Sequence, residues 1–170
     1  MVVLGIDPGY AIVGYGAIRF VNNTFTPISF GSITTEADMD FNQRLTVIYD
    51  DLVSVIRRTK PDALSIEKLY FQTNAKTAIM VAEARGVILL AATKMGVPVY
   101  EYTPLQVKVA VTGYGKAQKP QVMEMTRRLL HLKETPKPDD TADALAIAIT
   151  HTQSAGSGLR RFMIQKGINK

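Results

Sequence analysis

Apolar residues run unbroken through Val2-Val3-Leu4-Gly5-Ile6 and stop at Asp7-Pro8-Gly9, which predicts a buried strand over residues 2–7. A second strand is expected from Ala11 to Phe20, with Gly14 and Gly16 inside it, and a third from Phe25 to Thr34. Val21-Asn22-Asn23-Thr24 has the composition of a hairpin turn, so the three form an antiparallel meander. The period then changes. Leu45, Ile48, Tyr49, Leu52 and Ile56 recur at helical spacing over residues 42–58, with Asp38 or Asp40 placed to cap the helix. Lys60-Pro61-Asp62 ends it, and Ala63-Leu64-Ser65-Ile66-Glu67 predicts a fourth strand.

A helix over residues 74–95 carries Ile79, Met80, Val81, Val87, Ile88, Leu89 and Leu90 on more than one face, so it is expected to be covered on two sides. Gly96-Val97-Pro98-Val99-Tyr100 predicts a short fifth strand. Helices are expected over 104–111, 119–130 and 140–152, with Gly113-Tyr114-Gly115 as a hinge between the first two. Ser154-Ala155-Gly156-Ser157-Gly158 and the basic segment after it have the composition of a linker and tail. The expected division is therefore a folded domain over 1–153 and a flexible basic tail over 154–170. The fold class is α/β: a mixed five-stranded sheet flanked by helices. A right-handed crossover would lay strand four parallel to strand one and bring Asp7 beside Glu67.

Composition narrows the chemistry. There is no cysteine, which removes disulfides, thiolate catalysis, zinc-thiolate sites and iron–sulfur clusters. No apolar run approaches the roughly 18 residues of a membrane span, and Asp7 interrupts the N-terminal apolar stretch at once, so a cytoplasmic protein without a signal peptide or membrane contact is expected. Residues 1–51 hold two basic and six acidic residues, whereas the remainder holds eighteen basic and nine acidic. A basic surface around a few acids suits a polyanion that is both held and cut; a solvated basic face is the plainer reading.

The acids are informative by position. Asp7 and Glu67 each close a strand, and Asp140 and Asp143 open the last helix. Asp7 could serve only its turn, and acids favour the first turn of a helix, where Asp139 is the expected cap. Glu67 has no such excuse, because Glu neither forms turns well nor favours strands. Asp140 and Asp143, three apart, share a helical face about 5–6 Å apart at Cβ. Together the four suggest one site that collects hard divalent cations, which prefer oxygen ligands and often accompany phosphates. His131 and His151 are expected at the surface or at helix ends rather than in catalysis.

Leu4-Gly5-Ile6-Asp7-Pro8-Gly9, Gly14-Tyr15-Gly16, Ile66-Glu67, Ala84-Arg85-Gly86, Gln106-Val107-Lys108 and Asp140-Thr141-Ala142-Asp143-Ala144-Leu145-Ala146-Ile147-Ala148 resemble, in order and spacing, the RuvC family of bacterial Holliday junction resolvases. The resemblance covers about residues 1–152. It implies a ribonuclease H-like fold, a homodimer, and a structure-selective endonuclease of homologous recombination and DNA repair that nicks opposed strands of a four-way junction. The catalytic and metal-binding acids would be Asp7, Glu67, Asp140 and Asp143. Two Mg²⁺ ions, for which Mn²⁺ would substitute, would flank the scissile phosphate about 3.5–4 Å apart. Products would carry 5′-phosphate and 3′-hydroxyl ends. DNA-contacting lysines fall on Lys108 and Lys119, with Lys116 beside them on the glycine-rich stretch. Tyr70 and Phe71 follow Glu67 closely; they would stack on an unpaired base or pack in the core, and the resemblance favours stacking by Tyr70. Branch-migration partners RuvA and RuvB are implied too. Ala82, Gly86 and Ala91 mark the second helix as the expected dimer face.

Three other readings compete: a related nuclease acting on other structured DNA or RNA, an ATP-binding module of the actin and sugar-kinase type, and a noncatalytic branched-DNA-binding protein. A chain of 170 residues leaves no room for the second lobe of the kinase type, and a noncatalytic binder leaves the acids unexplained.

Overall fold

The computed structural model describes residues 1–68 and 75–156. Five strands, β1 (Val2–Asp7), β2 (Ile12–Val21), β3 (Thr24–Thr34), β4 (Ala63–Glu67) and β5 (Val99–Tyr102), form one sheet in the order β3-β2-β1-β4-β5. β1, β2 and β3 are antiparallel neighbours, while β4 and β5 run parallel to β1. Asn22 and Asn23 both adopt positive φ, 50° and 59°, the backbone of the two-residue turn that matches strand twist.

Alternation along the strands divides the molecule. Leu4, Ile6, Leu64 and Ile66 face α1 (Phe41–Thr59) and α2 (Ala75–Lys94), where Ile48, Leu52, Ile56 and Ile88 complete a core. The residues between them, Val3, Gly5, Asp7, Ser65 and Glu67, turn to the opposite face. There α3 (Pro104–Thr112), α4 (Lys119–Leu129) and α5 (Asp139–Gly156) build a second core from Val107, Val122, Leu145 and Ile149. Asp40 caps α1, its carboxylate accepting the Asn42 N–H at 2.9 Å, and Lys60 ends the helix in the left-handed region. Thr103 and Gln106 form a reciprocal capping box at the start of α3.

Several expectations are corrected. β5 starts at Val99, three residues later than expected, because left-handed Gly96 closes α2 and Val97 bonds back to the Ala92 carbonyl. Asp139 is the first residue of α5, not its cap. α5 continues through Gly156, so Ser154, 5% exposed, belongs to the folded body rather than a linker. His151 is neither at the surface nor at a helix end: it is 4% exposed within α5, its Nδ1 2.9 Å from the Tyr102 hydroxyl. Ala91 is fully buried in the core and so is absent from any outer face of α2. The outward apolar residues of that helix are Ile79, 60% exposed, and Leu90, 53% exposed.

Candidate active site

The acids meet because of register. Ile6 pairs with Ile66 across the parallel β1–β4 ladder, so Asp7 and Glu67 leave adjacent strand ends one residue later, on the same face. α5 crosses that face with Asp140 and Asp143 in its first two turns. Glycines set how near it comes. A Cβ at Gly5 would lie 2.0 Å from the Ala144 carbonyl oxygen, and one at Gly14 would lie 2.0 Å from that of Asp140. The helix backbone therefore rests on the strand backbone, and the Ser65 hydroxyl donates to the Ile147 carbonyl at 3.3 Å.

The consequence is crowded negative charge. Burial, then the charges of Asp143, Glu67 and Asp140, push the Asp7 carboxyl up to about 8, against an ordinary 3.8; the Lys119 ammonium pulls the other way. Glu67 and Asp143 are raised as well, first by burial. Among the described residues, no three acids or histidines stand close enough to enclose a single ion. Asp7 lies within electrostatic reach of the other three carboxylates, and the group forms no closed cage.

A cation already answers that charge. Lys119, the first residue of α4, places Nζ 2.9 Å from Asp143 Oδ2 and 3.6 Å from Asp139 Oδ2. Its own pKa rises, chiefly through the hydrogen bond to Asp143. From sequence, Lys119 reads as a DNA contact; its pairing with a site acid is missed. The available signal is its place at a helix N-terminus, where the dipole disfavours a cation unless an anion faces it. The site fits hard divalent cations: its donors are carboxylate oxygens in excess of charge, and an ammonium stands where positive charge is needed.

A cleft of about 170 Å³ opens beside the acids, lined by Glu67, Asp143, Lys108 and Lys119 against an apolar wall that includes Val107 and Val122. Lys108 thus joins the site, whereas Lys116 is exposed outside this cleft. Tyr70 and Phe71 lie outside the described residues.

Known proteins are similar to this chain in sequence and fold. A family model, Crossover junction endodeoxyribonuclease RuvC, matches residues 3–151. A relative of that name from Brevibacillus brevis is 53% identical over the whole of both chains. Another, from Ruminiclostridium cellulolyticum, is 51% identical over 93% of this chain and 95% of the relative. Among solved structures, RuvC of T. thermophilus in complex with Holliday junction substrate superposes with a TM-score of 0.87 at 38% identity, covering 91% of this chain and 94% of that one. The yeast mitochondrial resolvase Ydc2, at 14% identity and a TM-score of 0.61, shares the fold. The chain belongs to the crossover junction endodeoxyribonuclease RuvC family.

Proposed function

We propose that the acidic corner is the cleavage centre of a Holliday junction endonuclease, with Asp7, Glu67, Asp140 and Asp143 holding two Mg²⁺ ions. The observation that carries this reading is the convergence of the four acids from two strand ends and one helix, with Asp7 pushed up to about 8 by burial and then by the charges of the others. Such a corner binds protons or cations at neutral pH, and a cleft with lysines at its rim brings a phosphodiester to it. Mg²⁺, or Mn²⁺ in its place, supplies Lewis acidity at the phosphate and a reactive water at neutral pH.

The protein's own groups do the rest. Asp7 and Glu67 are fixed by the β1–β4 ladder, so their spacing is rigid; Asp140 and Asp143 are fixed by α5. With cations held by the acids, the Lys119 ammonium, which also lies 3.6 Å from Asp139 Oδ2, would be able to exchange its Asp143 contact for a phosphate oxygen. Lys108 faces the same cleft, and Lys116 adds positive charge from an exposed position. Tyr70 and Phe71 follow Glu67 in sequence and would stack on a base exposed at the branch point. The substrate is four-way junction DNA, supported by the T. thermophilus relative bound to Holliday junction substrate.

Paired nicks in opposed strands call for two sites related by a two-fold axis. The outward face of α2 supports a homodimer: Ile79 and Leu90 are exposed, and Gly86 leaves space open above it. RuvA and RuvB are the partners, the cytoplasm is the compartment, and the basic residues Arg160, Arg161, Lys166 and Lys170 add nonspecific attraction to DNA. The test is incubation with a synthetic four-way junction and a matched linear duplex, with Mg²⁺ or EDTA. Symmetric paired nicks in the junction, dependent on Mg²⁺, are expected; equal cutting of the duplex would favour a general nuclease.

A further inference from the structure

Gly14 does not owe its identity to backbone conformation. It lies in the extended β2 ladder, and the described glycines with positive φ are Gly96 and Gly113. A strand interior ordinarily disfavours glycine, which packs no side chain and loses the most freedom on ordering. What it does have is a singular location. In the β1–β2 register Gly14 is the partner of Asp7, and directly opposed residues direct their side chains to the same face. On that face, the Cβ it lacks would fall 2.0 Å from the Asp140 carbonyl oxygen, 2.3 Å from its carbonyl carbon and 3.0 Å from the Asp140 Cβ. One position therefore touches the backbone of one acid and opposes the other.

We infer that Gly14 is a positioning residue: its missing side chain sets the gap between Asp7 and Asp140, and so the grip of the acidic corner on divalent ions. The obstructing atoms are helix backbone, which a rotamer change does not move. An added methyl group shifts the first turn of α5 outward and carries Asp140 with it. Gly16 supplies the contrast. It lies two residues along the same strand and on the same face, but a Cβ there meets mainly the Leu145 side chain, at 2.6 and 2.7 Å, with backbone no nearer than 3.0 Å. Leu145 lies beyond both helix acids and most of the clash falls on its side chain, so that substitution should disturb the core more and Asp140 less than Gly14→Ala does.

This inference rests on the metal-binding reading, and the experiment separates the two. Mn²⁺ affinity of the full chain is measured by calorimetry, and folded stability by thermal melting, for the parent protein, Gly14→Ala and Gly16→Ala; junction nicking per folded molecule follows. Gly14→Ala is expected to weaken Mn²⁺ binding at least about tenfold and nicking about a hundredfold, the effect of a misplacement near 1 Å. Gly16→Ala is expected to lose melting temperature but keep parent-like affinity. Parent-like Mn²⁺ affinity in folded Gly14→Ala would overturn the inference, as would equal losses in both variants. No Mn²⁺ binding by the parent protein would instead remove the metal-binding reading beneath it. Asp140→Glu covers the case in which Gly14→Ala does not fold. It keeps the carboxylate and the helix but lengthens the side chain by one methylene, so a gap that Gly14 fixes makes it bind Mn²⁺ at least about tenfold more weakly; unchanged affinity would sink the proposal.

Discussion

The two faces of the sheet are packed by different rules. Toward α1 and α2, large aliphatic residues interlock: Leu4, Ile6, Ile48, Leu52, Leu64, Ile66 and Ile88 are all fully buried. Toward α5 a second core remains, but at Gly5 and Gly14 the side-chain layer is missing and strand backbone meets helix backbone. The first arrangement maximises apolar burial, the main source of folding free energy. The second gives up side-chain contact in exchange for position. All four site acids lie on that second face, together with the lysine that answers them. One side of the sheet is thus packed for burial alone, while the other combines a core with the acidic corner, and substitutions on the two sides should fail in different ways.

The sharpest break is Asp7→Asn. It retains shape but loses the charge at the centre of the corner, and junction nicking should fall at least about a thousandfold, or about 4 kcal/mol in the barrier. Junction binding should survive, because the basic rim is untouched. Nicking under single-turnover conditions with saturating Mg²⁺ measures this; full activity would remove Asp7 from the reaction.

The same substitution should act on stability in the opposite direction. In the folded, metal-free chain the Asp7 carboxyl titrates near 8 rather than near 3.8. Folding therefore favours its protonated form, and the stability it contributes is complete below about pH 4 and is lost as pH rises toward 8. Glu67 and Asp143 are shifted in the same direction. At pH 8 in EDTA, Asp7→Asn should be the more stable protein, by an amount on the order of 5 kcal/mol at about 1.4 kcal/mol per tenfold displacement of the protonation equilibrium. The advantage should shrink toward pH 4, and Mg²⁺ should reverse or erase it by binding the parent protein. Melting curves across pH 4–8, with and without Mg²⁺, provide the measurement. On the opposite face, Leu52→Ala should destabilise by about 2–5 kcal/mol through lost burial and a residual cavity. Nicking per folded molecule should nonetheless stay at the parent level. A selective loss of nicking in Leu52→Ala would show that the two faces are coupled.

Much of this division is legible in the chain because it depends on strand parity. Val2–Asp7 and Ala63–Glu67 are short apolar runs closed by an acid, and the acid at each end inherits its face from its place in the strand count. The opening of α5 is nearly as clear, since Asp140 and Asp143 share one helical face. Long-range relationships are harder. The Gly14 contact with Asp140 joins residues 126 apart, and nothing local distinguishes Gly14 from a glycine in a bulge. The burial of His151 is hidden for a similar reason: its partner, Tyr102, comes from a strand 49 residues away, so the sequence nearby offers no cue to it. The end of α5 is not legible locally, because Ser154-Ala155-Gly156 has linker composition while tertiary packing holds it helical. Ala91 shows the same limit, since an alanine on an all-apolar helix does not reveal which side the core takes.

Lys119 gives the smallest expected effect and joins the two demands made on the acidic face. Its side chain is about half exposed, so the Asp143 ion pair contributes little by itself, within about 1 kcal/mol. Lys119→Met should therefore melt within a few degrees of the parent in Mg²⁺. Without metal the acids lose the one described cation that lowers Asp7, Glu67 and Asp143, so the variant should be less stable than the parent at pH 8 and closer to it near pH 4. Its clearest signature should lie in DNA binding. If the ammonium leaves Asp143 for a phosphate once divalent charge is present, the parent makes one more phosphate contact than the variant in Ca²⁺ or Mg²⁺, but not in EDTA. The slope of log affinity against log salt should then differ by about 0.9 between the two proteins with divalent ions, and by much less without them. Equal slopes under both conditions would mean that Lys119 remains with the acids throughout, leaving Lys108 to hold the backbone at the cleft.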